Sequence, residues 1–304
     1  MNIVFMGSPE FAIPSLEQIH GSEHTIKAVV SNVDKRRGRG SKTSPTPVKA
    51  KALELGLPVI EVEDFESPEF IEQLRALEAD LFVVVAFRIL PASVLEIPRI
   101  GSVNLHASLL PKYRGAAPIH WAIINGEKET GCTVFFLDEK VDTGNILLQE
   151  SISIGKNETT GQLYERLRQK GADLLLRSID EIESQEYTLK EQNDLLATPA
   201  PKLFKNDCHL DFDRSAEEIH NKIRGLSPFP TAWANWNGEK LNIYKSALGP
   251  DIEISNGLLA ERNGALLVGC ENGTVELLEI QLPGKKRMTG AEFINGYEVQ
   301  GSLS

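Results

Sequence analysis

Leu81-Phe82-Val83-Val84-Val85-Ala86 is an unbroken run of apolar residues. A strand with one wet face alternates apolar and polar side chains, whereas a strand buried on both faces does not. The run therefore reads as a central strand of a parallel sheet covered by helices. Working outward, further apolar strands at residues 3–6, 27–31, 59–62 and 103–106 alternate with helical stretches near 11–20, 47–55, 68–77 and 92–97. This alternation predicts an α/β fold with a doubly wound, mostly parallel, Rossmann-like sheet. Residues 131–137 and 146–154 read as two more strands. Residues 160–184 read as a long helix with Leu163, Leu167, Leu174 and Ile179 on its apolar face. No G-x-G-x-x-G follows the first strand, so Gly7 marks a tight turn and not a dinucleotide site.

Candidate chemistry sits on the strand after this central one, Gly101-Ser102-Val103-Asn104-Leu105-His106. Side chains two apart on an extended chain share a face, so Asn104 and His106 project together. They do so at a strand end, where open α/β sheets build their sites. Asp142, inside Val141-Asp142-Thr143-Gly144, offers a carboxylate to orient and polarise the imidazole. Amide, imidazole and carboxylate suit attack of an amine on a carbonyl carbon, the amide stabilising the developing oxyanion and the imidazole moving the proton. The residues alone also fit a plainer reading, with Asn104 bonding backbone at a strand end and His106 structural.

Ser108-Leu109-Leu110-Pro111-Lys112-Tyr113-Arg114-Gly115-Ala116-Ala117-Pro118-Ile119 resembles the signature of the folate-dependent formyltransferases. Met6-Gly7-Ser8-Pro9-Glu10-Phe11-Ala12, Val84-Val85-Ala86-Phe87-Arg88-Ile89-Leu90-Pro91, Asp142-Thr143-Gly144 and Leu282-Pro283-Gly284-Lys285-Lys286 resemble the same family, so the likeness covers practically the whole chain. It implies that Asn104, His106 and Asp142 are catalytic and that Ser108, Leu109, Leu110 and Pro111 bind folate. It further implies that Phe87, Arg88, Ile89 and Leu90 hold the pterin end of 10-formyltetrahydrofolate, a co-substrate, with no metal. The implied reaction is formyl transfer to the α-amino group of methionyl initiator tRNA for translation initiation, with Phe11 beside the methionyl side chain. A sugar-nucleotide N-formyltransferase using the same donor is the alternative. A non-catalytic RNA-binding protein on the same scaffold would have no use for an intact trio.

Length and composition bound these expectations. A chain of 304 residues exceeds the usual size of one core, so two domains are expected. With 41% hydrophobic and 25% charged residues it has ample material for ordinary globular cores. There is no run of about 18 apolar residues and no secretory leader pattern, so a cytoplasmic protein without membrane contact is expected, as a monomer. Cys132, Cys208 and Cys270 are odd in number and far apart, which suits neither a disulfide framework nor a CxxC metal clip. The net charge of −11 predicts weak non-specific RNA binding. One basic stretch stands out: Lys35, Arg36, Arg37, Arg39, Lys42, Lys49 and Lys51 face only Asp34. Its Gly and Pro content predicts a loop without regular structure. By the resemblance it lies against the tRNA acceptor stem, with Arg39 and Lys42 as the contacts.

Beyond the long helix the pattern lapses into polar, Pro-containing chain, read as a linker over 190–206 between a catalytic domain (1–189) and a second domain (207–304). Residues 215–226 read as a helix. Four Asn-Gly pairs, at 237–238, 256–257, 263–264 and 272–273, then punctuate short apolar runs and predict hairpins of a small β-barrel. The resemblance makes this an OB-like barrel that contacts tRNA. Phe229, Trp233, Trp236 and Tyr244 are expected mainly in its core.

Overall fold

In this computed structural model residues 1–36 and 43–304 are described, so Arg39 and Lys42 lie outside the described residues. In chain order come β1 (Asn2–Gly7), α1 (Ile13–His20), β2 (Thr25–Asn32), β3 (Lys35–Arg36), β4 (Thr43–Ser44), α2 (Pro47–Glu54), β5 (Val59–Val62), α3 (Pro68–Ala76) and β6 (Leu81–Val85). They continue with α4 (Ala92–Leu95), β7 (Gly101–His106), α5 (Pro118–Ile124), β8 (Glu129–Phe136), β9 (Ile146–Ser153) and α6 (Thr160–Ser184). The remainder is α7 (Ala216–Gly225), β10 (Ala232–Trp236), β11 (Glu239–Leu248), β12 (Leu259–Arg262), β13 (Ala265–Gly269), β14 (Thr274–Gln281), β15 (Met288–Thr289) and α8 (Gly290–Gly296). Two compact units divide the chain. One comprises 1–115, 131–152 and 165–199; the other comprises 116–130, 153–164 and 200–304.

The first unit is built on a seven-stranded sheet in the order β5-β2-β1-β6-β7-β8-β9. Pairings among β5, β2, β1, β6 and β7 are parallel, and β8 joins β7 antiparallel. The apolar run that predicts a central strand is β6, fourth of seven and buried at every position. It ends one residue earlier than expected because Ala86 turns into the left-handed region, at φ 48. Helices start where proline is already set for a first turn, as in α1, α2 and α3. Helix α6 buries Leu163, Leu167, Leu174 and Ile179 as its periodicity requires. The chain leaves β1 toward β2 and β5, then returns to β6 on the other side of β1. That reversal is the switch point at whose carboxyl edge such sheets carry ligands. Register aligns Val84 with Asn104, so the loops after β6 and β7 emerge side by side there.

The basic stretch departs from its expected irregularity. Lys35 pairs with Ser44 and Arg36 with Thr43 in a short antiparallel ladder. Pairing needs only the flanks of a loop to be extended, and the Gly and Pro residues fall outside those flanks. Its charge is also more local than composition implies. Lys49 is bonded to Asp34 and Glu61, each at 2.8 Å, and Lys51 pairs with Glu17 and Glu54.

The second unit carries a six-stranded antiparallel sheet in the order β10-β11-β14-β13-β12, with β15 on β14. Residues 301–304 close it. Leu303 N–H donates to Gly257 O at 2.7 Å on one side, and Ser304 N–H donates to Asn235 O at 3.0 Å on the other. Closure removes the open edges, which accounts for a barrel built from so few strands. Two of the four Asn-Gly pairs form hairpins with both residues left-handed, Asn237-Gly238 and Asn263-Gly264; at 257 and 273 only the glycine is. Trp236 packs edge-on against Phe293 in the core, as expected. Phe229 instead stands 78% exposed, in the Pro-flanked connection between α7 and β10 and not on a strand. Tyr244 is half-buried under the Arg287 guanidinium, 3.6 Å from its ring centre. No helix of the described residues is long and apolar enough to cross a membrane.

Candidate active site

Asn104 and His106 share one face at the carboxyl end of β7, and Asp142 comes to them on the turn between β8 and β9. His106 is 6% exposed, and its Nε2 lies 2.8 Å from the Tyr113 carbonyl oxygen. A carbonyl can only accept, so Nε2 carries the hydrogen and Nδ1 is the nitrogen free to change protonation. Nδ1 faces Asp142 Oδ2 at 3.8 Å, within ion-pair range but too far for a direct hydrogen bond. The same Oδ2 accepts from Gly115 N–H at 2.8 Å. Asn104 is half-buried, and among the described residues its side-chain amide has no hydrogen-bond partner. The Asn104 amide and the His106 ring thus lie on one face of β7, the ring facing a carboxylate.

The backbone around the trio is held in uncommon conformations. Ala86, Tyr113 and Asp142 all lie in the left-handed region, at φ 48, 62 and 55. The left-handed region costs about 1–2 kcal/mol for residues such as Ala86 and Tyr113 and less for Asp142, whose short polar side chain tolerates it. Gly144 explains the Asp-Thr-Gly string: a Cβ there would meet the Phe136 carbonyl oxygen at 1.7 Å. Only glycine lets the turn press against β8 and return Asp142 to the ring.

The expected folate segment is anchored from below. Ser108 is fully buried, its hydroxyl donating to Lys112 O at 2.6 Å. Thr133 accepts from Leu110 N–H at 3.1 Å and donates to Ser108 O at 2.6 Å, while Gln149 Nε2 donates to Leu110 O at 2.9 Å. Leu110 packs with Phe135 and Ile146, leaving Leu109 and Pro111 half-buried. After β6, Ile89, Leu90 and Arg88 line a cleft of about 570 Å³ with Phe65, Glu63 and Glu139 among the other walls. Arg88 stacks on the Phe65 ring at 4.2 Å and donates to Val62 O and Glu63 O, so its guanidinium shapes the wall. Partial desolvation draws its pKa below the usual arginine value. Phe87 meets Phe65 edge-on. Phe11 is buried, 5% exposed, just past the end of β1.

Sequence reasoning missed Gln192 and the Tyr113 and Gly115 backbone, which hold His106 and Asp142, and Thr133 and Gln149, which hold the 108–111 segment. Polar side chains bonded to backbone carry no periodic signal. Residues 190–199, expected as linker, are tied down here. Ile146 N–H donates to Lys190 O at 2.8 Å, Arg114 N–H donates to Thr198 O at 2.9 Å, and Gln192 Nε2 donates to Asp142 O at 3.0 Å. Among the described residues no group of three or more His, Cys, Asp or Glu side chains is placed to hold a metal ion. The arrangement can polarise a carbonyl oxygen through Asn104 and shuttle a proton through Nδ1 of His106.

Residues 1–179 match the formyl transferase family, and residues 202–298 match the formyl transferase C-terminal domain. A methionyl-tRNA formyltransferase of Chlorobium limicola is 45% identical over 309 residues, covering 99% of this chain and 97% of its own. One of Porphyromonas gingivalis (strain ATCC BAA-308 / W83) is 42% identical over 315 residues, covering 100% and 98%. Among solved structures, WlaRD, a sugar 3N-formyl transferase crystallised with dTDP and 5-N-formyl-THF, superposes with a TM-score of 0.69 at 22% identity, over 94% of this chain and 99% of that one. That likeness speaks to fold. With full-length identity above two fifths, the chain belongs to the formyl transferases, within the methionyl-tRNA formyltransferase family.

Proposed function

We propose that this chain moves the formyl group of 10-formyltetrahydrofolate to the α-amino group of methionine on initiator tRNA, with Asn104, His106 and Asp142 carrying the chemistry. The observation that supports it most is the partnerless Asn104 amide beside the Nδ1 of His106 that faces Asp142. The cleft after β6, walled by Phe65, Ile89, Leu90 and Arg88, suits the flat ring system of the donor.

When bound, 10-formyltetrahydrofolate supplies a formyl group on a nitrogen that leaves once protonated. Asn104 donates to the formyl oxygen as negative charge builds on it. His106, anchored at Nε2 by Tyr113 O, delivers a proton from Nδ1 to the departing nitrogen. The incoming amine surrenders one proton in its turn, and that proton returns to Nδ1 beside the Asp142 carboxylate, so the site ends as it began. Asp142 also favours the ring orientation in which Nδ1 faces the reacting atoms.

The acceptor is where the two readings part. Sugar-specific enzymes share this fold, yet the full-length relatives above two fifths identity are named for methionyl-tRNA. Arg39 and Lys42, outside the described residues, are assigned to the acceptor stem, and Phe11 to the methionyl side chain. On this reading residues 1–189 catalyse, residues 207–304 contact tRNA, and the protein acts as a cytoplasmic monomer. The test offers 10-formyltetrahydrofolate with methionylated initiator tRNA, methionylated elongator tRNA or an amino-sugar nucleotide. Tetrahydrofolate release with initiator tRNA alone supports the reading, and preference for the sugar overturns it.

A further inference from the structure

Gln192 lies in the polar stretch after the long helix and is 8% exposed. Its side chain is saturated. Nε2 donates to Asp142 O at 3.0 Å and to Gly144 O at 2.8 Å. Oε1 accepts from Arg114 Nε at 3.1 Å and from Arg114 Nη2 at 2.8 Å. An amide has two donor hydrogens and an acceptor oxygen with two lone pairs, and all four places are filled. Arginine can only donate, so Arg114 fixes which way the amide faces and leaves Nε2 for the turn.

The placement of these partners matters more than their number. Arg114 sits between Tyr113, whose carbonyl accepts from His106, and Gly115, whose N–H donates to Asp142. Asp142 and Gly144 belong to the turn that brings the carboxylate back to the ring. One buried amide thus joins the loop that fixes the imidazole to the turn that fixes the carboxylate. The same Nη2 of Arg114 also donates to Asp194 Oδ1 at 2.8 Å. Asp142 is itself left-handed at φ 55.

We infer that Gln192, oriented by Arg114, is a positioning residue that sets the spacing between His106 Nδ1 and the Asp142 carboxylate during turnover. The inference rests on Asp142 serving the reaction, and its test separates the two. Gln192→Met keeps the shape and removes both donors and the acceptor. Gln192→Glu keeps the bonds to Arg114, exchanges the two donors for acceptors and adds a charge that Arg114 faces. It retains the fold's ties on that side, while Gln192→Met is free of the added charge.

Both variants are expected to lower kcat about 10- to 100-fold, the effect of misplacing a catalytic group by about 1 Å, with KM for donor and tRNA changed less than about twofold. Thermal unfolding confirms that each variant is folded. The deciding comparison is a double-variant cycle with Asp142→Asn. If Gln192 acts through Asp142, Gln192→Glu in that background costs less than about threefold more. If both variants lower kcat but their losses multiply in the double variant, the positioning role is overturned. Unchanged kcat in both Gln192 variants beside a slow Asp142→Asn overturns it as well. An unimpaired Asp142→Asn instead overturns the role of the carboxylate itself. Restoration of kcat by Gln192→Asn is not expected, since its amide falls one methylene short of both partners.

Discussion

Replacing Asn104 with Ala should separate stability from catalysis. The side-chain amide has no hydrogen-bond partner among the described residues, so truncation breaks no internal bond. The backbone of β7 stays paired on both sides, with Val84 and Phe135 in register. Loss of a half-buried polar side chain with no partner should change unfolding free energy by less than about 1 kcal/mol. On the proposed mechanism the same truncation removes the oxyanion donor, a loss of about 2.7–4 kcal/mol, or about two to three decades in kcat. Asn104→Asp tests the donor itself, because it keeps the shape and abolishes the N–H. Turnover is followed by tetrahydrofolate absorbance, donor affinity by equilibrium binding and stability by thermal unfolding. Both variants should lose at least about a hundredfold in kcat with donor affinity within about threefold. A loss under about fivefold, or one matched by an equal loss of donor affinity, would refute the oxyanion role.

Three further outcomes follow from particular contacts. Gly144→Ala places a methyl 1.7 Å from the Phe136 carbonyl oxygen, which is backbone and cannot yield. The Asp142 turn must lift, lowering kcat at least about tenfold and stability by about 1–3 kcal/mol, and unchanged turnover would contradict this. Thr133→Val removes the hydroxyl that serves Ser108 O, Leu110 N–H and Gln149, leaving buried groups unpaired. It should destabilise by about 2 kcal/mol and raise donor KM; a change in neither speaks against the segment's folate role. Burial pushes the Cys132 thiol up to about 12 and the Cys270 thiol up to about 11, and raises Cys208 also. A raised thiol pKa keeps the unreactive protonated form through neutral pH, so iodoacetamide at pH 8 should label none of the three in the folded chain and all three in urea.

What was legible in the sequence follows from burial and periodicity. β6 is apolar on both faces because it is covered on both, and that run placed the sheet. The period of two put Asn104 and His106 on one face. Asp142 was visible through the resemblance carried by Asp142-Thr143-Gly144, and the structure adds why that string needs Gly144, where a Cβ would meet the Phe136 carbonyl. The strap over 190–199 was not legible, because its ties run through backbone groups and Gln192, Asp194 and Thr198. Such residues look the same in a free linker. Helix α8 spans only seven residues, too short for an amphipathic signal, although Thr289 and Glu292 form a capping box that announces it. Phe229 was read as core from its type, whereas it falls in the connection before β10 and is exposed. Lys49 and Lys51 counted toward a basic patch until their carboxylate partners, distant in sequence, were placed.

The central claim is that Nδ1 of His106 moves the proton that lets the formyl group pass to methionyl initiator tRNA. Rapid-quench single turnover with a donor labelled in its formyl group measures this directly, comparing the unaltered chain with His106→Gln. The unaltered chain should carry label onto the methionine of initiator tRNA, and His106→Gln should do so at least about a hundredfold more slowly with donor binding intact. Label reaching tRNA at an undiminished rate in His106→Gln, or leaving the unaltered enzyme as free formate while charged tRNA is saturating, would contradict the account.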